Sequence, residues 1–190
     1  EHWNILRNKY LYQEIDLRTT TGNEELLSVS QYTGVTPRKM RINSDKEKLS
    51  RSDSFVGYKI VTIGDLAINI MLAWNGSLGI SQYNGIVSPA YCVFRLIGEN
   101  DRLFFHALLR TPIYLTRYYV ESTGIIDSRL RLYPDDFFKI KSIVPPYNEQ
   151  VAISKYIAIN TSAIDLAIEH AQHEVDLIRQ YRIRLIFDVI

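Results

Sequence analysis

Val144-Pro145-Pro146-Tyr147-Asn148-Glu149-Gln150 is the point at which the sequence changes its period. Two consecutive prolines cannot lie inside a helix or a central strand, because each ring fixes φ and removes an amide donor. Before them, short apolar runs alternate with Gly, Ser, Thr and Asn; after Pro146 neither glycine nor proline occurs. Asn148 is a helix-capping type, and Glu149 and Gln150 fall in the first turn that would follow. The chain of 190 residues is therefore read as two parts, 1–146 and 147–190.

Downstream, Ile157, Ile164, Ala171, Ile178 and Leu185 recur every seven residues, and Ile168, Val175, Arg182 and Val189 form a companion row with Arg182 as its single polar member. That is the seam of a coiled coil. Ser162 and Asp165 make a capping-box-like pair, which predicts a shorter helix near 148–159, a break, and a helix near 162–189. At about 1.5 Å per residue the second helix would be about 42 Å long. It is expected to project and to take a partner helix through Ile157, Ile164, Ile168, Ala171, Val175, Ile178, Leu185 and Val189. The alternative is an amphipathic helix lying on its own domain.

Upstream, Leu26–Ser30, Leu66–Leu72, Tyr91–Leu96 and Ile140–Val144 read as strands. Asn75-Gly76 and Asn84-Gly85 are turn dipeptides, so Ser77–Tyr83 is predicted as a short strand in a meander. Asp101–Arg110 reads as a helix capped by Asn100 or Asp101, with Leu103, Phe104, Ala107 and Leu108 on its apolar face. Thr111-Pro112 opens a second helix running to about Val120. The fold class is α+β, mixed strands and short helices followed by a long projecting helix of coiled-coil type.

Net charge is only +1, but it is unevenly placed. The residues up to Tyr147 hold 18 Lys+Arg against 15 Asp+Glu; those from Asn148 hold 4 against 6. The opposite signs point to different partners for the two parts. A lone cysteine, Cys92, sits in an apolar run and cannot form an internal disulfide, which fits a reducing, cytoplasmic location. No segment reads as a membrane span, the nearest being the short Leu66–Trp74 interrupted by Asn69. No signal peptide is recognisable, and the start at Glu1 is read as that of a processed or excised piece.

Catalytic motifs fail on chemistry. Val144-Pro145-Pro146-Tyr147 has the outline of the proline–proline–aromatic loop of amino-methyltransferases, but valine stands where a polar side chain must hold the target amine. In Pro134-Asp135-Asp136-Phe137-Phe138-Lys139 two phenylalanines separate the acids from the lysine, so they cannot alternate on one strand face as a metal-dependent nuclease needs. It reads as a capped short helix. His170 and His173 lie one helical turn apart with no further ligands to complete a metal site. No phosphate-binding glycine loop and no nucleophile–base spacing is present.

Binding remains. A basic stretch holds Arg38, Lys39, Arg41, Lys46, Lys48 and Arg51 just after Thr36, suited to phosphates and, through arginine, to guanine. Trp74, Asn75 and Ser77 lie at a turn. Arg117, Tyr118 and Tyr119 lead to Ser122, and Arg129 and Arg131 follow. Arginine and tyrosine interleaved with small polar residues on several loops make a plausible DNA surface; a solvated loop is the plain alternative for each stretch.

The order of several short motifs resembles the specificity subunit of type I restriction–modification systems. Glu25–Ser30 followed by Gly34-Val35-Thr36-Pro37-Arg38 is similar to the opening of a target-recognition domain. So is Gly64–Asn69 continuing into Met71–Trp74 with Gly76 and Gly79, as are Gly85–Tyr91 and Ser122-Thr123-Gly124 with Ser128-Arg129. Pro145-Pro146 with Glu149-Gln150 and Ile153 resembles the hinge into the helices, and Ile164-Asp165, Tyr181-Arg182 and Leu185-Ile186 the spacer helix. Glu1-His2-Trp3 is similar to the start of a recognition domain.

The resemblance implies a non-catalytic reader of double-stranded DNA. Residues 1–146 would be the target-recognition domain and 147–190 the spacer, pairing region and subunit-docking region. Such subunits hold two recognition domains apart on an antiparallel coiled coil; one copy stands here, so the chain would be half of a subunit, paired in cis with a second half or with itself as a homodimer. It would bind no cofactor of its own. The modification (methyltransferase) subunit would carry S-adenosylmethionine and the restriction subunit ATP. Two other readings stay open: a detached recognition domain of an adenine-N6 DNA methyltransferase, and a coiled-coil interaction module that reads no DNA.

Overall fold

The computed structural model describes residues 2–38 and 54–187. The chain forms two compact units, Glu1–Gln150 and Val151–Ile190. Ten strands are described in the first: β1 Asn4–Arg7, β2 Tyr12–Glu14, β3 Leu27–Ser30, β4 Gly34–Pro37, β5 Lys59–Val61, β6 Asp65–Asn69, β7 Leu78–Ile80, β8 Gly85–Val87, β9 Tyr91–Leu96 and β10 Lys141–Val144. Its helices are α1 Arg102–Leu108, α2 Pro112–Glu121 and α3 Pro134–Lys139, and α4, Tyr147–Phe187, begins there. The fold is mixed α+β with a long C-terminal helix.

A four-stranded antiparallel sheet in the order β2-β9-β6-β7 is joined by three ribbons, β1-β10, β3-β4 and β5-β8. All five residues of β6 are buried, as expected of an inner strand covered on both faces. On one side lies an aliphatic cluster of Leu27, Val29, Val35, Val61, Ala67, Val87 and Val93. Elsewhere the rings of Tyr12, Phe94, Phe105 and Phe137 meet, with Tyr12–Phe137 centroids 5.4 Å and Phe94–Phe137 centroids 4.7 Å apart. These rings join the sheet to α1 and α3. Buried Cys92 is one of the core residues, and burial pushes its thiol up to about 11.

The structure corrects several expectations. The strand expected over Leu66–Leu72 stops at Asn69, whose Oδ1 accepts from the Met71 amide at 3.1 Å while its carbonyl accepts from Leu72 at 3.0 Å. A side chain that bonds its own backbone two residues on makes a turn compete with the ladder. The meander also fails. The strand predicted within Ser77–Tyr83 is β7 and returns to β6, but β8 crosses to β5, and β9 takes the other edge of β6. Asn84-Gly85 therefore does not close a hairpin onto β7. Glycine is needed there for another reason: a Cβ on Gly85 would lie 2.2 Å from the Glu25 carbonyl oxygen, against which β8 is threaded.

Asp101 caps α1, its Oδ1 accepting from the Phe104 amide at 2.7 Å. The buried face is Phe104, Phe105 and Leu109, whereas Leu103, expected inside, is exposed. Pro112 starts α2, and Pro134 starts α3.

The largest correction concerns α4, which is one uninterrupted helix of 41 residues, about 11 turns. It begins at Tyr147, so Asn148 lies inside it; the amides of Glu149 and Gln150 donate to the Pro146 carbonyl at 2.9 and 3.0 Å. The break expected at Thr161-Ser162 is absent. Ser162 Oγ donates to the Ile159 carbonyl at 2.8 Å, and Asn160 Nδ2 to the Tyr156 carbonyl at 2.7 Å. Both polar groups are satisfied by the preceding turn, so the helix passes through them.

Continuity also changes the membrane reading. By length and composition alone, α4 is long and apolar enough to cross a membrane, against the expectation that no segment is. Within the second unit, the expected interface residues Ile157, Ile164, Ile168, Ala171, Val175, Ile178 and Leu185 are all exposed in the single chain; Val189 lies outside the described residues.

Candidate nucleic-acid interface

Three loops and one helix of the first unit meet at the C-terminal end of β6. After β6 the chain makes a short 3-10 turn, Ala73–Asn75, closed by Gly76 in the left-handed region at φ 93°. Asn75 Oδ1 accepts from the Ser77 hydroxyl at 2.9 Å and from its amide at 3.3 Å, fixing the exit into β7. The Trp74 indole N–H donates to the Met71 carbonyl at 3.1 Å, which holds the ring against the turn. That ring meets Tyr119 of α2 edge-on, centroids 6.4 Å apart.

The Tyr119 hydroxyl in turn donates to Asp127 Oδ1 at 2.9 Å, and this bond, with the carboxylate's charge, raises the phenol above its ordinary value. Asp127 opens the 3-10 turn Asp127–Arg129. Thr123 and Arg131 exchange both backbone hydrogen bonds at 2.9 Å, closing the loop around that turn. The Leu132 amide donates to the Ile70 carbonyl at 2.9 Å, returning the loop to the end of β6.

The β3–β4 turn reaches the same place. A Cβ on Gly76 would lie 3.8 Å from Gln31 Cβ and 3.5 Å from a methyl of Leu115. This turn is held by Arg110, between α1 and α2. Its Nη1 donates to the Leu78 carbonyl at 2.6 Å and to that of Ser30 at 3.5 Å; its Nη2 donates to Gln31 at 2.7 Å and Tyr32 at 3.2 Å. A guanidinium presents donors in a fixed fork, so one side chain can gather carbonyls from two segments. His106 lies alongside, its Nδ1 accepting from the Ile80 amide at 3.1 Å. Burial, and then the charge of Arg110, push the imidazole below its ordinary value. With Nδ1 accepting, the neutral ring carries its proton on Nε2.

The sequence candidates separate on this geometry. Trp74, Asn75, Arg117, Tyr119, Ser122, Arg129 and Arg131 lie on the joined loops and α2. Arg117, Tyr119 and Arg129 are exposed there, and Trp74 and Asn75 are half-buried. Ser122 Oγ donates to the Tyr118 carbonyl at 2.6 Å, and one Arg131 nitrogen to the Leu130 carbonyl at 2.7 Å. Ser77 is buried under Asn75, and Tyr118 is 0% exposed with its hydroxyl donating to the Leu109 carbonyl at 3.0 Å. Both groups are used by the fold. Thr36 and Arg38 lie on and just past β4, opposite Ser28 and Leu26, half-buried and away from the ring contacts. Lys39, Arg41, Lys46, Lys48 and Arg51 lie outside the described residues.

Sequence reasoning missed Tyr32, 82% exposed on the turn that Arg110 holds, and Ile125, 99% exposed on the loop closed by Thr123 and Arg131. No local pattern marks either. Tyr32 owes its prominence to Arg110, far along the chain, and Ile125 to the closure of its own loop, which is tied back at Leu132 to Ile70. The joined loops and α2 thus expose Tyr32, Tyr119, Arg117 and Arg129, with Trp74 half-buried, rings and guanidinium groups of the kinds that contact bases and phosphates. Among the described residues no group of three or more His, Cys, Asp or Glu could hold a metal ion.

No protein-family model matches the sequence, and no curated protein matches it. Solved structures do match. A chain from work on complex assembly and conformational transition of the type I R-M system aligns with TM-score 0.62 and 13% identity, over 92% of this chain and 46% of that one. The HsdS subunit from Thermoanaerobacter tengcongensis aligns with TM-score 0.61 and 12% identity, over 87% of this chain and 43% of that one. The type I restriction–modification system S subunit from M. genitalium gives TM-score 0.55 and 14% identity, over 83% and 38%. The chain has the fold of these S subunits and spans less than half the length of each.

Proposed function

We propose that this chain is one recognition half of a type I restriction–modification specificity subunit: its first unit reads one half of a bipartite duplex DNA target, and its long helix pairs with a second such helix and docks the modification subunit. The observation that carries the reading is the union of two features in one fold. A mixed α+β unit exposes aromatic and arginine side chains on anchored loops and on α2, and the chain continues into an unbroken helix whose described stripe residues are exposed. The likeness to solved S subunits over most of the chain supports it.

The division of labour follows from the chemistry. The loops offer stacking faces, guanidinium groups and amides, which suit recognition and not bond-making. Catalysis is assigned to partners, methyl transfer from S-adenosylmethionine to the modification subunit and ATP-driven translocation and cutting to the restriction subunit, with no cofactor on this chain. On α4, Ile164, Ile168, Val175, Ile178 and Leu185 recur at heptad spacing while Asp165, Glu169, Glu174, Asp176, Arg179 and Arg184 occupy other positions. A stripe flanked by charge favours a partner helix over lipid, which would surround the helix on all sides. Whether the second helix comes from the same longer polypeptide or from another copy decides between an asymmetric and an inverted-repeat target.

The direct test is to co-express the complete subunit with its modification subunit and to map methylated adenines across the host genome. A bipartite motif with a constant gap is the expected result. Methylation at a continuous motif, or none that depends on this chain, refutes the proposal. Binding of S-adenosylmethionine by the chain alone would favour the detached methyltransferase domain. Salt-dependent retention on duplex DNA would argue against the pure interaction module.

A further inference from the structure

Ile125 stands out because it is 99% exposed on a loop that is not free to move away from solvent. Its neighbours are tied. Thr123 and Arg131 exchange backbone hydrogen bonds at 2.9 Å, the Arg129 amide donates to the Ile126 carbonyl at 2.8 Å, and Tyr119 holds Asp127 at 2.9 Å. Gly124 lets the loop close, since a Cβ there would lie 2.6 Å from the Arg129 carbonyl oxygen. The backbone therefore holds a β-branched apolar side chain out in water, with χ1 already restricted. Arg129, also exposed, lies on the same closed loop.

We infer that Ile125 is a base-reading residue that packs on the 5-methyl group of a thymine in the major groove; this rests on the DNA-reading function proposed above. An isoleucine has no donor or acceptor and cannot read the hydrogen-bonding code of a base pair. The apolar landmark that the major groove offers is the thymine methyl. The Arg129 guanidinium, carried on the same loop, supplies a phosphate contact that holds such a tip in register.

The test uses the complete subunit assembled with its partners and a randomised duplex library made in two forms, one with thymine and one with uracil in its place. The wild type should select thymine at one position of its half-site, and that preference, about fourfold for one buried methyl, should vanish in the uracil library. Ile125→Ala and Ile125→Ser should lose the preference at that position in the thymine library and keep every other position. Their thermal melting should be unchanged, because the side chain supports nothing. A preference that persists with uracil, or that survives in both variants, overturns the inference, as does a loss of affinity uniform across sequences, which would mark a wedge or a phosphate-loop role. A wild type that selects no sequence in either library overturns the DNA-reading function itself, and so fails differently.

Discussion

Replacing Arg110 by alanine should unfasten the β3–β4 turn, and the cost can be worked from the hydrogen bonds. The guanidinium makes two short contacts, to Leu78 at 2.6 Å and Gln31 at 2.7 Å, and two long ones, to Tyr32 at 3.2 Å and Ser30 at 3.5 Å. A hydrogen bond to a charged group contributes about 1.5–3 kcal/mol. The Leu78 bond counts near the top of that range, because Leu78 is buried and water cannot readily replace the donor. The Gln31 bond counts for less, since its residue is half-buried and partly rehydrates. The two long bonds at the exposed turn add little. Against this, alanine relieves the desolvation of a half-buried cation, the same burial that lowers the Arg110 pKa. The net loss is about 3 kcal/mol. For a unit of this size, where each kcal/mol shifts Tm by about 2–4 °C, that is a fall of about 6–12 °C. Tryptophan fluorescence is a suitable probe, because both tryptophans, Trp3 and Trp74, belong to the first unit. Arg110→Lys should recover only a minor part, since a point charge cannot reach carbonyls on two segments in a fork. A loss below about 1 kcal/mol for Arg110→Ala would mean that water serves these carbonyls equally well, and the clamp reasoning would be wrong.

Three further outcomes are expected. His106 has a folded pKa below its unfolded value, so the unfolded chain binds the proton first; stability is complete above about pH 6.5 and declines as pH falls through the folded pKa. Urea titrations between pH 7 and 5 should show this decline in the wild type and not in His106→Asn, and a flat wild-type profile refutes it; carboxylates held low, such as Glu149 bonded by Trp3, act only at lower pH. Paired substitutions Ile168→Asp and Ile178→Asp should abolish association through the helix, seen as a loss of mass in sedimentation, while the fluorescence melt of the first unit stays put; unchanged mass would show that the stripe is not an interface. Arg129→Ala should change which sequences are preferred, whereas Lys46→Ala should weaken all duplexes alike and reduce the salt slope by about one; equal, sequence-blind losses from both would refute this assignment of roles.

The joined loops show why a candidate surface is only partly legible in a chain. Trp74, Arg117, Tyr119 and Arg129 could be named from composition, because side-chain chemistry is a local property. Tyr118 and Ser77 come from the same stretches, yet one is buried on the inner side of α2 and the other beneath Asn75. Adjacent helical residues face directions about 100° apart, so a motif such as Arg117-Tyr118-Tyr119 cannot say which member is outside. Tyr32 was illegible because its display depends on an arginine 78 residues away.

By itself, the sequence determined the elements whose cause is local. The prolines at 145 and 146 separate β10 from the long helix, heptad spacing lays an apolar stripe along that helix, and Asp101, Pro112 and Pro134 start three helices. The tertiary structure decided what depends on partners far along the chain. Whether β8 joins β7 or β5 turns on a close approach between Gly85 and Glu25. Whether Thr161-Ser162 breaks a helix turns on carbonyls that a continuous turn happens to supply. Which loop residues face outward turns on Arg110, Tyr119 and Asp127 pinning three separated segments together. Propensity acts over a few residues, whereas packing and hydrogen-bond satisfaction are settled only when distant segments meet.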